Sequence, residues 1–465
     1  MGVRSEIRRF LEPESIAVIG ASRRLGNGSN VLENLLVRGF RGSIYPVNPN
    51  AQEICGINTY ADVEHLPDNV DLAVILTPRD LVVEIVKKCG QKGIRAVIIV
   101  GAGYSDAGEA GKTLELRVVE MASRYGIRIV GPNTFGVANG FMGLYTAFAP
   151  FPCEKIPVGS ISQTGLFFAN TSRFKMVGKA VDLGNACDVS FSDVLEYFEE
   201  DQDIRMIVIY LESIREGRQF IEVASRVSKK KPIFVLKGGK SEQGTRLVSS
   251  HTGALAGGHE IYDAVFKQCG ITQVNSVEEF EDVFPAFLSL PLAKGRGVGI
   301  MTYPMSAGVL SVDACQRYGL KAPELAEETL NKIGLLFPSW APCRNPVDLA
   351  AAVFVMGQEG KKCFEMIMDA LLCDPKIDAV LFNSLATPDY DFYDYSEIVL
   401  RLSGVHRDKP IVSWLYGPDP YGKMARKYEE KGGVVVFPSL ERALKTIRVM
   451  WDYRNFLSRR DVAFC

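Results

Sequence analysis

The sequence lacks the features that mark several classes of protein. No apolar run approaches the ~20 residues that span a bilayer, and no apolar segment near the amino end resembles a secretory signal. The formal net charge is -2, so the basic excess of nucleic-acid-binding proteins is missing. The ten cysteines form no CxxC pair, and the four histidines show no metal-ligand spacing. We therefore expect a cytoplasmic protein with reduced cysteines, no metal, and no membrane or nucleic-acid partner.

Short β-branched runs alternate with amphipathic stretches along the whole chain. A length of 465 residues is too great for one ordinary core. The alternation predicts parallel sheets joined by crossover helices, and residues 290–297, rich in Pro, Gly and Lys, are predicted to form a linker. We predict an α/β fold of three consecutive doubly wound domains, at residues 1–135, 136–290 and 291–465.

A glycine-containing turn at residues 20–26 follows the first predicted strand and precedes a predicted helix. Such a turn can hold a phosphate group on backbone amides. The strict GxGxxG spacing is absent, however, and the second strand ends in Pro46-Val47-Asn48-Pro49 without the acidic residue that NAD requires. A plain turn, an NAD site and a site for another phosphate-bearing nucleotide all remain open on these residues alone.

One histidine lies in a sequence that favours a reactive side chain. His251 lies in SSHTGALAG at residues 249–257, where small neighbours leave the imidazole unshielded. A loop histidine held by ordinary hydrogen bonds explains the spacing equally well. We expect His406 to be solvated in a polar turn and His259 to begin a helix.

A second candidate for anion binding is the turn Ser162-Gln163-Thr164-Gly165, between an apolar strand and a helical stretch. Free amides at a helix start bind anions, and the helix dipole strengthens that binding. A tight turn with a purely structural role explains these four residues equally well.

Several motifs together resemble one known family. Gly20–Ser22, PVNP at 46–49, GAGYSDAGEAG at 101–111 and GPN at 131–133 are similar to the CoA-binding domain of NDP-forming acyl-CoA synthetases and succinyl-CoA synthetase α subunits. The SHTGALAG string is similar to that family's phosphohistidine loop. The resemblance covers about residues 8–450 and implies a Rossmann-like CoA-binding domain followed by two flavodoxin-like domains.

The resemblance also implies roles for individual residues. His251 would be the nucleophile that becomes phosphorylated, and Glu212 would accept a hydrogen bond from its imidazole and orient it. CoA would be held by Gly20, Ala21, Ser22, Arg23, Asn48, Pro49, Thr77 and Pro78. The phosphate and acyl groups would be held by Asn133, Thr134, Ser162, Gln163, Thr164 and Gly165.

The activity that the resemblance implies is that of an acid–thiol ligase. As the α subunit of an ADP-forming acyl-CoA synthetase, the chain would interconvert acyl-CoA, ADP and phosphate with a small carboxylate, ATP and CoA. The nucleotide and Mg²⁺ would bind a separate ATP-grasp β subunit, in a hetero-oligomer such as α2β2.

Four departures from the family pattern keep other functions open. Asn50 stands where the family has lysine, Thr134 where it has cysteine, Leu166–Phe168 where it has small residues, and Tyr303–Met305 within its usual glycine-rich turn. These changes would suit a CoA or acyl-CoA sensor without catalysis, and the first turn alone would suit an NAD-dependent oxidoreductase. The presence of His251 favours the ligase.

Overall fold

The computed structural model describes residues 3–24, 26, 30–149, 153–165, 178–252, 258–341, 343–356, 359–386, 394–417 and 423–461, with the backbone alone at 249–252, 354–356 and 460–461. The chain divides into two compact units, Met1–Val277 and Glu278–Cys465. Among the helices of the described residues, none is both long and apolar enough to cross a bilayer.

The first sheet of the amino-terminal unit is parallel throughout. Its strands and the neighbouring elements are α1 (Val3–Leu11), β1 (Ser15–Ile19), α2 (Val31–Val37), β2 (Ser43–Val47), the hairpin β3 (Glu53–Ile54) and β4 (Ile57–Asn58), β5 (Leu72–Ile75), α3 (Val82–Gln91), β6 (Ala96–Ile99), α4 (Gly108–Arg124) and β7 (Arg128–Val130). The strand order is β2-β1-β5-β6-β7. Alternate residues of β1 enter different cores, Ile16 and Val18 on one face and Ala17 and Ile19 on the other, because helices cover both faces.

The second sheet is parallel except at one edge. It is built from β8 (Val137–Asn139), β9 (Leu144–Tyr145), β10 (Val158–Ser162), β11 (Lys179–Asp182), α5 (Phe191–Glu200), β12 (Met206–Leu211), α6 (Gly217–Val227), β13 (Ile233–Lys237), α7 (Glu242–Thr252), α8 (His259–Cys269) and β14 (Thr272–Val274). The order is β14-β13-β12-β10-β11-β8-β9. Strand β8 pairs antiparallel with both β11 and β9.

The carboxyl-terminal unit contains the third sheet, again parallel. Its elements are α9 (Val277–Ser289), β15 (Val298–Thr302), α10 (Met305–Arg317), α11 (Glu327–Ile333), β16 (Val347–Asp348), α12 (Leu349–Met356), α13 (Gly360–Cys373), β17 (Ala379–Leu385), α14 (Ser396–Val405), β18 (Ile411–Tyr416), α15 (Lys423–Lys431), β19 (Val435–Phe437) and α16 (Leu440–Asp461). The order is β16-β15-β17-β18-β19. Arg442 on α16 pairs with Asp282 on α9 at 2.7 Å, which fastens these two helices together.

The parallel part of all three sheets has the same order, in which the second strand lies outside the first and the third, fourth and fifth follow on the other side. Connections therefore leave in opposite directions from the carboxyl ends of the first and third strands. Those ends are β1 and β5, β10 and β12, and β15 and β17. A crevice at such a switch point is where doubly wound folds bind ligands.

The predicted fold class is confirmed. Apolar runs in the sequence predict strands at Ser43–Val47, Val158–Ser162 and Met206–Leu211, and these strands have the observed bounds. Residues 290–297 join α9 to β15 without a helix. The short strands β3, β4, β8, β9 and β16 were not predicted. The domain boundaries at residues 135 and 290 stay predictions.

Candidate active site

Three of the predicted site residues, two for phosphate or acyl binding and one for orienting His251, line one cleft at the switch point of the second sheet. Thr164 follows β10, Glu212 follows β12, and Asn133 arrives from the segment after β7. The cleft has a volume of about 820 Å³. The rest of its described wall consists of Asp106, Tyr210, Gly239, Gly244, Leu247 and Val248. The structure thus brings together Asn133 and Glu212, which lie 79 positions apart in the sequence.

Glu212 is firmly placed at the end of β12 and is only 6% exposed. Its backbone N–H donates to Gln163 Oε1 at 2.8 Å, and its carbonyl oxygen accepts from Lys237 Nζ at 2.8 Å. The Tyr210 hydroxyl donates to Glu212 Oε1 at 3.3 Å. A carboxylate on so fixed a backbone can orient a second group in the cleft.

Titratable groups around Glu212 have shifted pKa values. Burial raises the pKa of Tyr210 to about 12, helped by the charge of Glu212. Burial lowers the pKa of Lys237 although Glu212 opposes the shift. Asp182, at the end of β11, is fully buried; burial raises its pKa to about 7, backbone amide donors oppose this, and Glu212 adds to it. Such clusters are typical of functional sites.

The four residues of the Ser162–Gly165 turn have different surroundings. The Ser162 hydroxyl donates to the Thr164 carbonyl oxygen at 2.5 Å. Gln163 is 5% exposed, and its Oε1 accepts the N–H groups of Glu212 and Ser213 at 2.8 and 2.9 Å. The side chains of Ser162 and Gln163 therefore support the turn and β12, whereas Thr164 faces the cleft.

Gly165 is confined by a close neighbour. A Cβ atom at this position would lie 2.5 Å from the Phe135 ring, so the glycine permits the approach. The predicted helical stretch beyond Gly165, with Leu166–Phe168, lies outside the described residues. Binding of phosphate or acyl groups by this turn stays a prediction.

Asn133 and Thr134 are adjacent in the sequence but have different surroundings. Asn133 has a φ of +59°, which asparagine tolerates, and its N–H donates to the Gly101 carbonyl oxygen at 2.9 Å. Thr134 is 2% exposed; its hydroxyl donates to the Asp182 carbonyl oxygen and accepts from the Gly136 N–H. Thr134 is not among the cleft-lining residues that the structure describes, and its hydroxyl is used in these two backbone hydrogen bonds.

His251 is carried by α7, at the penultimate position of the helix. Leu247 and Val248 of the same helix line the cleft. Since residues four apart share a helix face, the backbone places His251 one turn beyond Leu247. The side chain of His251 and residues 253–257 of its loop lie outside the described part of the chain. His259 begins α8, as predicted.

The residues predicted to hold CoA meet at the carboxyl ends of β1, β2 and β5. Gly20 has a φ of +83°, and its N–H donates to the Val47 carbonyl oxygen at 2.9 Å. A Cβ atom on Gly20 would lie 3.0 Å from Thr77 Cγ2. Within the described residues, the buried Thr77 hydroxyl has no hydrogen-bond partner. A close backbone approach beside a buried hydroxyl that needs a partner fits a bound polar ligand.

Asn48 joins two of these segments. Its Nδ2 donates to the Ala21 carbonyl oxygen at 2.8 Å, and its Oδ1 accepts the Asn50 N–H at 2.8 Å. Around this link, the surface is formed by exposed residues, which are Ser22, Arg23, Pro49 and Pro78. The predicted CoA residues are therefore neighbours, and their contacts with CoA stay a prediction.

Sequence analysis missed Asn30 in the first loop. Its Oδ1 caps α2 by accepting the N–H of Leu32 at 2.9 Å, and its Nδ2 donates to the carbonyl oxygens of Ser22 and Arg24. An asparagine directly before an apolar run is a helix N-cap signal that could have identified it.

A cluster in the second unit resembles a metal site in composition only. Ligand atoms of Asp369, Cys373 and His406 lie within 4.8 Å of one another. Lys332 Nζ already pairs with Asp369 at 2.8 Å, so we interpret the cluster as an ion-pair network. The expectation that His406 is solvated is wrong: its side chain is 14% exposed, because Nε2 hydrogen-bonds Asp369 at 2.9 Å.

Two family models match successive parts of the chain. The model described as a CoA binding domain matches residues 14–140, and that described as a succinyl-CoA ligase like flavodoxin domain matches residues 157–287. The first range includes the Gly20 loop, and the second includes Thr164, Glu212 and His251. Fold and site therefore define a CoA-binding protein of the succinyl-CoA ligase type.

Individual proteins give a narrower placement. The chain is 36% identical to the α subunit of ADP-forming acetate–CoA ligase I of Pyrococcus furiosus, over 97% of this chain and 99% of that subunit. It is 40% identical to ADP-forming acetate–CoA ligase II of Archaeoglobus fulgidus, over 83% of this chain and 59% of that longer protein. The solved structure of the dinucleotide-forming acetyl-coenzyme A synthetase 1 of Ca. Korarchaeum cryptofilum, in complex with phosphate and ADP, matches with a TM-score of 0.87 at 31% identity over 98% of both chains. This chain belongs to the family of ADP-forming acyl-CoA ligase α subunits.

Proposed function

We propose that the chain is the α subunit of an ADP-forming acyl-CoA synthetase, which exchanges CoA for phosphate on an acyl group and carries the phosphoryl group on His251. The observation that carries this proposal is the cleft that collects Asn133, Thr164 and Glu212 beside α7, the helix of His251. The names of the Pyrococcus and Archaeoglobus relatives support the reaction class.

In the first step, a phosphate oxygen attacks the acyl carbon of acyl-CoA. The carbon–sulfur bond breaks, CoA leaves as the thiol after taking up a proton, and acyl phosphate forms. Negative charge develops on the acyl oxygen, and donors fixed in the cleft stabilise it. We assign that task to Asn133 and the Thr164 turn, because both line the cleft.

In the second step, an imidazole nitrogen of His251 attacks phosphorus. The bond between phosphorus and the acyl oxygen breaks, and the carboxylate leaves. The attack needs a neutral nitrogen on one side of the ring and an acceptor for the N–H on the other. Glu212 serves as that acceptor, since its backbone is held by Gln163 and Lys237 and its carboxylate lines the cleft.

CoA binds at the loop after β1, where a Cβ on Gly20 would press on Thr77 and the Thr77 hydroxyl is buried without a described partner. The match of residues 14–140 to a CoA binding domain supports this placement. Ser22 and Arg23, both exposed, would contact the phosphate groups.

The nucleotide belongs on another polypeptide in this proposal. The Pyrococcus relatives are named as α subunits, and the Archaeoglobus relative extends well beyond the 59% of its length that this chain spans. An ATP-grasp β subunit would bind ADP and Mg²⁺ and take the phosphoryl group from His251, in a hetero-oligomer such as α2β2.

The test is the first step alone, because it needs no nucleotide. The chain is incubated with arsenate and a panel of acyl-CoAs, and free thiol is measured; acyl arsenate hydrolyses and pulls the reaction forward. We expect arsenate-dependent thiol release with at least one acyl-CoA, and stabilisation of the chain by CoA but not NADH. At 100 times Kd, that stabilisation is about 2.7 kcal/mol.

Other outcomes would overturn the proposal. Thiol release that does not depend on arsenate identifies a thioesterase. Stabilisation by CoA without release from any acyl-CoA identifies the sensor, and stabilisation by NADH alone identifies the oxidoreductase.

A further inference from the structure

Asn185 lies in the loop after β11 and is 2% exposed. Its backbone N–H donates to the Pro132 carbonyl oxygen at 2.9 Å, next to Asn133 in the sequence. Its side-chain nitrogen donates to two carboxylates, Asp106 Oδ1 and Glu115 Oε2, both at 3.0 Å. Both N–H bonds of this amide therefore have acceptors.

The two carboxylates are themselves held in place. Asp106 accepts the N–H groups of Gly103 and Tyr104 at 2.9 and 2.8 Å. Burial alone would raise the pKa of Asp106, but the hydrogen bonds from Asn185 and the backbone outweigh burial and hold that pKa below its ordinary value. Glu115 accepts the hydroxyl of Ser105 at 2.8 Å.

These contacts fix which way the Asn185 amide points. Asp106 Oδ1 and Glu115 Oε2 are acceptors that already receive hydrogen bonds from their own neighbours, so the nitrogen of Asn185 must face them. Its Oδ1 then faces Asn133, whose Nδ2 lies 3.4 Å away. Because Oδ1 can only accept, it selects the orientation in which Asn133 turns its nitrogen toward Asn185. One N–H of Asn133 is left for the cleft that this residue lines.

We propose that Asn185 is a positioning residue, which fixes the amide of Asn133 so that its second N–H meets the oxygen on which charge develops during acyl transfer. The inference rests on the proposed function, in which Asn133 contacts the reacting group. Asp106 and Glu115 set the orientation of Asn185 and thereby complete the chain of contacts from α4 to the cleft.

A purely structural role for Asn185 is the alternative, since its N–H and that of Cys187 already bind the Gly131-Pro132 segment. Loss of a structural role would lower stability, and its effect on kcat would add to the effect of Asn133→Ala. Loss of a positioning role would act only while Asn133 is present. The two roles therefore differ in a double-mutant cycle.

The experiment measures kcat and KM for arsenate-dependent thiol release in Asn185→Ala, Asn133→Ala and the double variant of the full chain. We expect Asn185→Ala to lower kcat about tenfold, as a misplaced group does, with the Kd for CoA unchanged. Asn133→Ala should lower kcat at least as much, and the double variant should equal Asn133→Ala.

Asn139→Ala is the matched control. Asn139 is also 2% exposed, and its Nδ2 donates to the Leu11 carbonyl oxygen at 2.8 Å. Its kcat should stay within about twofold of wild type, because a mutation at a site that shares no partners with Asn133 acts independently of it. If Asn185→Ala does not fold, Asn185→Ser, which keeps one donor for the carboxylates, replaces it.

Equal kcat in Asn185→Ala and wild type, or additive losses in the double variant, would overturn the inference while wild-type activity upholds the proposed function. A wild-type chain without arsenate-dependent thiol release would overturn both.

Discussion

The second and third sheets have the same strand order and very different residues at the switch point. After the first strand of each set come Gln163 in the second sheet and Tyr303 in the third. After the third strand come Glu212 and Ala386. Topology therefore provides two equivalent switch points, and of the four residues that directly follow these strands only Glu212, in the second sheet, is a carboxylate.

The buried polar groups at these two places also differ in kind. At the second sheet, Asp182 and Lys237 can change charge, and both have shifted pKa values. At the third sheet, Thr302, Asn383 and Ser384 are buried and neutral, and Asn383 Nδ2 donates to the Ser311 hydroxyl at 2.9 Å. The difference teaches that the strand order sets the switch point, while the residues at the strand ends decide whether that point can perform chemistry.

The largest effect is expected at Glu212. The equivalent place in the third sheet, after β17, is occupied by Ala386. Glu212→Gln keeps the size of the side chain but removes the charge that supports a histidine cation. Phosphorylation of His251 from acyl-CoA and [³²P]phosphate should slow by about 100-fold. Arsenate-dependent thiol release, which needs no phosphohistidine, should change much less.

Glu216→Gln serves as the control for Glu212→Gln, because Glu216 is an exposed glutamate four residues further on. Equal slowing of phosphorylation in the two variants would mean that the position of Glu212 at the strand end has no special role.

A second variant tests the support of Glu212. Gln163→Met leaves the buried N–H groups of Glu212 and Ser213 without their acceptor, at about 1–3 kcal/mol each. The melting temperature should fall, and phosphorylation should slow roughly tenfold because the strand end shifts. The matched variant in the third sheet, Asn383→Leu, should alter stability but leave phosphorylation within about twofold. Slower phosphorylation in Asn383→Leu would break the comparison.

The CoA loop offers a third test, at the switch point of the first sheet. Gly20→Ala and Gly39→Ala both place a side chain at positive φ, at +83° and +72°. Only the Cβ at residue 20 has a close neighbour, Thr77, because residue 39 faces open space. Both variants should lose about 1–2 kcal/mol of stability. Only Gly20→Ala should weaken CoA binding, by about fivefold, which is 1 kcal/mol in affinity; calorimetry with CoA distinguishes them.

The last test concerns Asp182 and pH, and it measures stability without a change in the reaction. Its pKa is about 7 in the folded chain, above the ordinary 3.8, so folding takes up a proton between those values. The stability from this group is complete below about pH 4 and is lost as the pH rises through about 7. The difference in unfolding free energy between wild type and Asp182→Asn should therefore fall over that window, by no more than ~1.4 kcal/mol per pH unit. A difference that grows with pH would contradict the assignment.

Sequence patterns predicted the long elements well, because apolar periodicity reports burial directly. β12 and β10 were found at their observed bounds, whereas β8 and β9 were missed. Those two strands have three and two residues, and the antiparallel pairing of β8 with β11 and of β9 with β8 is decided by tertiary contacts that no local pattern records.

The candidate site was predictable through its motifs but not through its contacts. The motifs containing Asn133, Thr164 and Glu212 were recognised, and these residues do share a cleft. The roles of Gln163 and Thr134 in holding backbone could not be predicted, because they depend on partners 49 and 48 residues away. Neither could the contact of Asn185 with Asp106 and Glu115, which joins separate segments across the fold.

Labelling of the chain alone with acyl-CoA and [³²P]phosphate tests the central claim most directly. Wild type should acquire an alkali-stable, acid-labile label, as a phosphoramidate does, and His251→Asn should acquire none. His259→Asn, altered at the residue that begins α8, should label like wild type. Full labelling of His251→Asn, or stoichiometric labelling of the wild-type chain by ATP without a partner subunit, would contradict the account.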